Sequence, residues 1–200
     1  MKKQNIAIAI LASGSSKRFD GIKLLATIHN QSLLAHSVQT MQNLHCPLFV
    51  VLGAHREIIS PTLHTNIIIN GQHQTGIASS IVVATKELRT YDAILFSLAD
   101  QPLISAWHYQ KILDSYSERS CDIVATKYTK NKQEIIGNPA LFSKNCYEDL
   151  LALKGDKGAK TIITSAQHKT HTIKCDEAKY DIDTKEDLAL VRQKFSQPLR

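Results

Sequence analysis

Residues 11 to 23 read Leu-Ala-Ser-Gly-Ser-Ser-Lys-Arg-Phe-Asp-Gly-Ile-Lys. Small side chains and Gly14 let backbone N–H groups come close to an anion, while Arg18 and Lys23 bring positive charge from two sides. Such a loop suits a triphosphate. Two familiar phosphate-binding patterns are absent: the chain has no G-x-x-x-x-G-K-[ST], and no G-x-G-x-x-G follows the first apolar run.

Two more places carry chemistry. The apolar run 93–98 delivers Asp100 in the stretch Leu98-Ala99-Asp100-Gln101-Pro102. A carboxylate there fits Mg²⁺, which takes one or two carboxylates together with phosphate oxygens and water. The segment Asn70-Gly71-Gln72-His73-Gln74-Thr75-Gly76-Ile77-Ala78-Ser79-Ser80 enters a helical pattern. The free N–H groups of a helix start attract anions and polar base edges, with Ser79 and Ser80 in or near that first turn.

The elements that must hold these residues alternate. Short β-branched runs at 6–11, 48–52, 66–69, 93–98, 122–125 and 170–174 predict strands, and helical spacing predicts helices over 32–43, 55–59, 77–88, 105–115, 139–153, 159–166 and 185–195. Strand and helix in turn throughout predict a mostly parallel sheet with helices packed on it. Leu33, Leu34, Val38 and Met41 fall on one helical face, as do Ile77, Ile81, Ala84 and Leu88, and both stripes read as core. In such sheets ligands sit beyond the carboxyl ends of the strands, where all three segments lie.

At 200 residues, with no linker-like or repetitive tract, the chain reads as one domain over 1–200. The N-terminal Met-Lys-Lys followed by an apolar stretch imitates a secretory signal, but it runs into a glycine turn and Lys17-Arg18 instead of a cleavage site, so it reads as the first strand. The four cysteines are far apart with no C-x-x-C pair, as for reduced thiols in a cytoplasmic protein. No apolar run approaches a membrane span. The net charge of +6 comes from scattered lysines without a basic block or interleaved aromatics, which argues against nucleic acid as a partner.

The motifs and their order resemble the MobA-like NTP transferases, closest to the molybdenum cofactor cytidylyltransferases. Leu11, Ala12, Gly14, Ser16, Arg18 and Lys23 match the L-A-[AG]-G-x-S-x-R-[MF]-G-x-x-K signature, with Ser13 at a small-residue position and Asp20 where Gly is usual. Asn30 stands at a usual Gly turn position, which Asn fills because it tolerates the left-handed conformation. Asn70 to Ser80 is similar to N-x-x-W-x-x-G-[ML]-x-x-S, with His73 at the Trp position, and Leu98 to Pro102 is similar to L-[AG]-D-[QM]-P. Residues 181–188, Asp-Ile-Asp-Thr-Lys-Glu-Asp-Leu, resemble D-I-D-T-P-E-D-L, with Lys185 replacing Pro. Alternation puts Asp181 and Asp183 on one side, so either completes a metal site with Asp100, and Asp183 is favoured. Thr184 reads as a helix N-cap. The stretches 137–142, Gly-Asn-Pro-Ala-Leu-Phe, and 155–160, Gly-Asp-Lys-Gly-Ala-Lys, are similar to G-[HN]-P-x-x-[FL] and G-D-x-G-[AG]-R.

The resemblance implies a single-domain, Rossmann-like α/β fold of the nucleotide-diphospho-sugar-transferase type, with helices on both faces of a mostly parallel sheet. It implies NTP bound by Leu11, Ala12, Ser13, Gly14, Ser16, Arg18, Lys23, Asn70, Gly76, Ser79 and Ser80. Mg²⁺ would sit on Asp100 and Asp183, with Arg18, Lys23 and Asp100 carrying the reaction. Gln101, Pro102, Gly137, Asn138, Pro139 and Lys160 would meet a phosphorylated acceptor. The Gln of the Asp-Gln-Pro run points to CTP, and the family to molybdopterin as acceptor, with a molybdoenzyme or maturation chaperone as a protein partner. The rival readings are GTP on molybdopterin, a sugar, polyol or lactate phosphate acceptor, or a non-catalytic nucleotide- or cofactor-binding carrier, suggested by Asp20, Asn30, His73 and Lys185.

Overall fold

The computed structural model describes residues 4–16 and 18–196; Lys17 and both ends of the 1–200 span lie outside the described residues. The chain runs from β1 (Ile6–Ala12) through a small hairpin of β2 (Thr27–Ile28) and β3 (Gln31–Ser32) into α1 (Leu33–Gln42) and β4 (Leu48–Leu52). There follow α2 (Arg56–Ile59), β5 (Asn66–Ile69), α3 (Ile77–Glu87), β6 (Ala93–Leu98) and α4 (Ala106–Glu118). The second half contains β7 (Ile123–Lys130), β8 (Gln133–Ser143), α5 (Tyr147–Leu151), α6 (Lys160–Ile163), β9 (Thr170–Lys174) and α7 (Lys185–Phe195).

The main sheet has seven strands in the order β5-β4-β1-β6-β8-β7-β9. All neighbours pair in parallel except at β8, which is antiparallel to both β6 and β7. From β1 the chain steps outward through β4 to β5, then returns to place β6 on the other side of β1. The strand order therefore reverses between β1 and β6, and a crevice opens at their carboxyl ends.

Every residue of β1 is buried. Its alternation divides the core: Ile6, Ile8 and Ile10 pack with Leu34 and Met41 of α1 and Tyr109 and Ile112 of α4. Ala7, Ala9 and Leu11 face the opposite layer, with Ile81 and Ala84 of α3, Leu150 of α5 and Ile162 of α6. Helices thus cover both faces, and each fully buried isoleucine contributes about 1.5–3 kcal/mol to holding β1 at the centre. A smaller cluster of Phe19, Ile28, Leu33, Ile182, Leu188 and Val191 fastens α7 across the loop that follows β1.

Two expectations are corrected. Strand and helix do not alternate throughout, because β7 and β8 form a long hairpin: Asn131 and Lys132, at φ 53° and 63°, make a two-residue turn of left-handed residues. Nor is 139–153 one helix. Pro139 to Ser143 belong to β8, and α5 begins only at Tyr147. The Asn-Pro start followed by Ala-Leu-Phe imitates a capped helix. Instead, the register shifts where Ala125 pairs with Ala140 but Thr126 pairs with Gly137, so Asn138 and Pro139 lie in a bulge. A residue without an N–H is tolerated in a sheet at such a position.

Candidate active site

The crevice between β1 and β6 receives the loop after β1, the Ala99–Gln101 turn and the segment before α7. Two backbone hydrogen bonds join them: the Ala99 amide donates to the Leu11 carbonyl at 3.3 Å, and the Ile182 amide donates to the Asp100 carbonyl at 3.0 Å. Asp183 is thereby set beside Asp100. Lys23 reaches both carboxylates, with Nζ 2.7 Å from Asp100 Oδ2 and 3.4 Å from Asp183 Oδ1. Arg18, largely exposed, pairs with the other oxygen of Asp183 at 3.0 Å. Asp181 takes no part in this group and pairs with Lys130 of β7 at 2.7 Å.

Burial pushes the Asp100 carboxyl above the usual carboxylate range, and the Lys23 ammonium pulls in the opposite direction. Its Oδ1 is buried and has no hydrogen-bond partner. A buried carboxylate oxygen without a partner is costly, and a cation is the partner it most favours. Among the described residues no cluster of three or more His, Cys, Asp or Glu side chains could enclose a metal alone. Two carboxylates with the remaining ligands from phosphate and water suit Mg²⁺ better than a metal needing an all-protein cage, so the donor set fits the expected ion.

A cavity of about 280 Å³ lies over this cluster, lined by Leu11, Ala12, Gly14, Ser16, Arg18, Lys23, Asp100 and Asp183 among others. The loop needs unusual backbone: Ser16 and Asp20 take φ 52° and 40°, and Gly21 takes φ 124°. Asp20 and Lys185, both departures from the family pattern, pair with each other at 2.7 Å. The acid that would oppose a phosphate is thus matched by a cation from the start of α7. Asn30 takes φ 65°, the left-handed turn expected of it.

A second cavity of about 750 Å³ shares Leu11, Gly14 and Asp100 with the first and extends to His73, Gly76, Ser80 and Asp156. Several expected nucleotide residues act here by fixing backbone. Asn70 is buried; its Nδ2 donates to the Ser79 and Ser80 hydroxyls at 2.8 and 3.0 Å, and its Oδ1 accepts from the Gln72 amide. Gly76 has φ 104°, and a Cβ there would overlap Asp156 Oδ1 and the Gly155 carbonyl. Ser13 is also buried, its hydroxyl donating to the Val51 carbonyl at 3.0 Å and its carbonyl accepting from the Ala54 amide at 3.1 Å, so both of its oxygens hold the loop in place.

The expected acceptor residues are dispersed. Gln101 is buried beside Asp100, with Nε2 donating to the Ala178 carbonyl at 2.8 Å, and the Pro102 carbonyl accepts from His36 Nε2 at 3.0 Å. Since Phe96 pairs with Ala140, the antiparallel register carries 137–139 toward the carboxyl end of β6, the end that bears Asp100. The Pro139 carbonyl accepts from the Thr126 hydroxyl at 2.7 Å, and that hydroxyl accepts from His108 Nε2 at 2.8 Å. Lys160 opens α6, exposed, and lines neither cavity.

Sequence reading missed two participants. Asp156 lies in the Gly-Asp-x-Gly stretch at 155–158, where an acid held between two glycines is the local signal, whereas the resemblance points to Lys160. Gly53 ends β4 against the site: a Cβ there would stand 2.5 Å from His73 Cβ and 2.8 Å from the Ser13 carbonyl oxygen. Only its place after a buried strand hinted at this.

Residues 8–171 match the MobA-like NTP transferase domain. Over 195 residues the chain is 25% identical to nicotine blue oxidoreductase of Paenarthrobacter nicotinovorans, covering 93% of each. It is 24% identical over 125 residues, 61% of its length, to the bifunctional protein GlmU of Pseudothermotoga lettingae, but spans only 28% of that protein. Among solved structures, an Rv0371c homologue from Mycobacterium sp. strain JC1 has a TM-score of 0.80 at 24% identity, with 95% and 96% of the two chains covered. Rv0371c of Mycobacterium tuberculosis, solved with manganese, has 0.77 at 20%, covering 94% and 98%. Molybdopterin-guanine dinucleotide biosynthesis protein A of Archaeoglobus fulgidus has 0.72 at 14%, covering 95% and 98%. These structures share the fold.

Proposed function

Because the chain belongs to the MobA-like NTP transferase family and is a nucleotidyltransferase, we propose that it moves cytidine monophosphate from CTP to the terminal phosphate of a molybdopterin-type acceptor, with Mg²⁺. The observation that carries this reading is the Lys23, Asp100 and Asp183 cluster at the strand-order switch, lining a cavity on the phosphate-loop side and, through Asp100, the wider one.

An acceptor phosphate oxygen forms the new bond to the α-phosphorus, the bond from that phosphorus to the α,β-bridging oxygen breaks, and pyrophosphate leaves. The attacking oxygen is already anionic, so catalysis is mostly positioning and charge neutralisation. Backbone N–H groups around Ala12, Gly14 and Ser16, which line the smaller cavity, would face the triphosphate. Lys23 and Arg18 stand on the carboxylates and can turn to phosphate oxygens. Asp100 and Asp183 would hold Mg²⁺, which when bound neutralises charge on the transferring phosphates. Asn70, Gly76, Ser79 and Ser80 shape the nucleoside side. Gln101, Pro102 and residues 137–139 lie toward the carboxyl end of β6, where an acceptor would approach Asp100, and Lys160 would be available for a longer acceptor.

The choice of CTP rests on Gln101 in the Asp-Gln-Pro run, and the choice of molybdopterin on the family and on the archaeal structural neighbour's stated role. We place the reaction in the cytoplasm, with delivery to a molybdoenzyme or its chaperone. Among the described residues no helix is long and apolar enough to cross a membrane. The test is pyrophosphate release by purified protein with Mg²⁺ and molybdopterin, comparing CTP, GTP and ATP. Release with CTP alone is expected. Release with another nucleotide changes the base, and silence with all three, despite nucleotide binding, favours a carrier.

A further inference from the structure

Among the polar side chains of the wider cavity to which the phosphate chemistry assigns nothing are His73 and Asp156. His73 Nδ1 lies 3.3 Å from the Asn70 carbonyl oxygen. A carbonyl only accepts, so Nδ1 carries the hydrogen, and in that tautomer Nε2 bears the lone pair. The arrangement is anchored: Asn70 is tied to Ser79, Ser80 and Gln72, and the His73 ring is seated against Gly53, where no other residue leaves room for it. Asp156 reaches the same cavity from the opposite segment, packed on Gly76, and makes no hydrogen bond or ion pair among the described residues. An ionised carboxylate also only accepts. Ser80 lines the same cavity, its oxygen accepting from Asn70 at 3.0 Å and its hydroxyl hydrogen available.

The groups lining the cavity therefore include two acceptors from separate segments and the Ser80 hydroxyl, together with the exposed side chains of Gln74 and Ser15. We propose that His73 and Asp156 read the base edge of the nucleotide and select a pyrimidine bearing an exocyclic amino group over one bearing a carbonyl there. This rests on the nucleotidyltransferase reading and gives it a determinant of base choice. Cytosine offers the amino hydrogens that two acceptors require and ring acceptors for a hydroxyl. Uracil turns a carbonyl oxygen toward the same acceptors, so that the hydrogen bonds are lost and the exposed Asp156 carboxylate meets a like partial charge. His73 stands where the family pattern has Trp, so a ring is kept for packing while an acceptor is gained.

The test is equilibrium binding of non-hydrolysable α,β-methylene CTP and UTP to the full chain with Mg²⁺, followed by calorimetry. Wild type is expected to bind the cytidine analogue about tenfold more tightly or better. Asp156→Asn offers a donor to the carbonyl, and His73→Phe keeps a ring but removes the acceptor; each should bring the two affinities to within about threefold. Equal affinities in wild type, or discrimination unchanged in both variants, would overturn the inference while leaving the transferase reading intact. Failure of both analogues to bind wild type would defeat the transferase reading and this one with it. Should either variant fail to fold, the other still decides.

Discussion

One ammonium is shared by two carboxylates from distant parts of the chain: Lys23 Nζ stands 2.7 Å from Asp100 and 3.4 Å from Asp183. Lys23 thus occupies the position of charge that the proposed metal would take, and on that proposal the two would compete until a triphosphate drew the lysine away. Lys23→Met is expected to bind free Mn²⁺ about tenfold more tightly in the absence of nucleotide, since a cation a few ångströms away is removed. Electron paramagnetic resonance of free Mn²⁺ reads this directly. The same variant should bind CTP more weakly, and a parallel gain for both ligands would contradict the competition.

Asp100→Asn tests catalysis against binding. The amide keeps the shape but loses the charge, while Asp183 still neutralises Lys23, so the fold should hold. Turnover is expected to fall by about 10²–10³-fold, the scale for losing one electrostatic element of an active site. Nucleotide affinity measured without metal should remain close to wild type. A variant that turns over normally would remove Asp100 from the reaction.

Gly76→Ala should destabilise the protein. Its φ of 104° is unfavourable for any residue with a Cβ, and that Cβ would overlap Asp156 and Gly155. The expected cost is about 1–3 kcal/mol for the backbone strain. Gly158→Ala is the matched control, because its Cβ would meet only Ile77 Cγ2 at 3.9 Å with no positive φ. Urea unfolding of the pair should show a lowered midpoint for the first alone.

Stability should fall in mild acid through His108. Burial pushes this imidazole down from 6.5 to about 4 in the folded protein, where it donates to Thr126 behind the Pro139 bulge. Since the folded value lies below the unfolded one, the unfolded chain takes up the proton first as pH drops. The contribution is complete above about pH 6.5 and is lost between there and pH 4, amounting to about 3 kcal/mol at roughly 1.4 kcal/mol per unit. Urea midpoints across that window, compared with His108→Gln, should show a shallower acid limb in the variant.

Thr184 caps α7 in a reciprocal box: its hydroxyl accepts from the Asp187 amide, and Asp187 accepts from the Thr184 amide. Asp187 also accepts from the Asp183 amide at 3.0 Å, so the cap steadies a residue of the carboxylate pair. Thr184→Ala should cost about 1 kcal/mol. It should also weaken metal-dependent turnover more than nucleotide binding, whereas an equal loss in both would make the cap purely structural.

Much of this was legible from sequence because it is local. β1 was readable since Ile6 to Leu11 form a short apolar run closed by a glycine turn, α7 since Thr184 is an N-cap type standing before a run of helical spacing, and the crevice residues since loops after parallel strands gather at one end. The β7–β8 hairpin was not readable. Asn131-Lys132 is a weak turn signal, and Asn138-Pro139 looks like a helix start unless its opposite strand is known.

The types of residue available for phosphate and metal, and their placement after β1 and β6, were therefore determined by sequence alone, because side-chain chemistry and strand–turn patterns are short-range. Only the tertiary structure decided which charges meet. Lys23 joins Asp100 and Asp183 rather than standing free, Asp181 goes to Lys130, and Asp20 finds Lys185. Asp156 reaches the cavity that His73 also lines because Gly76 lets two loops touch. Such pairings join residues many positions apart, and their partners are selected by the sheet order and the packing of α7, which no local pattern encodes.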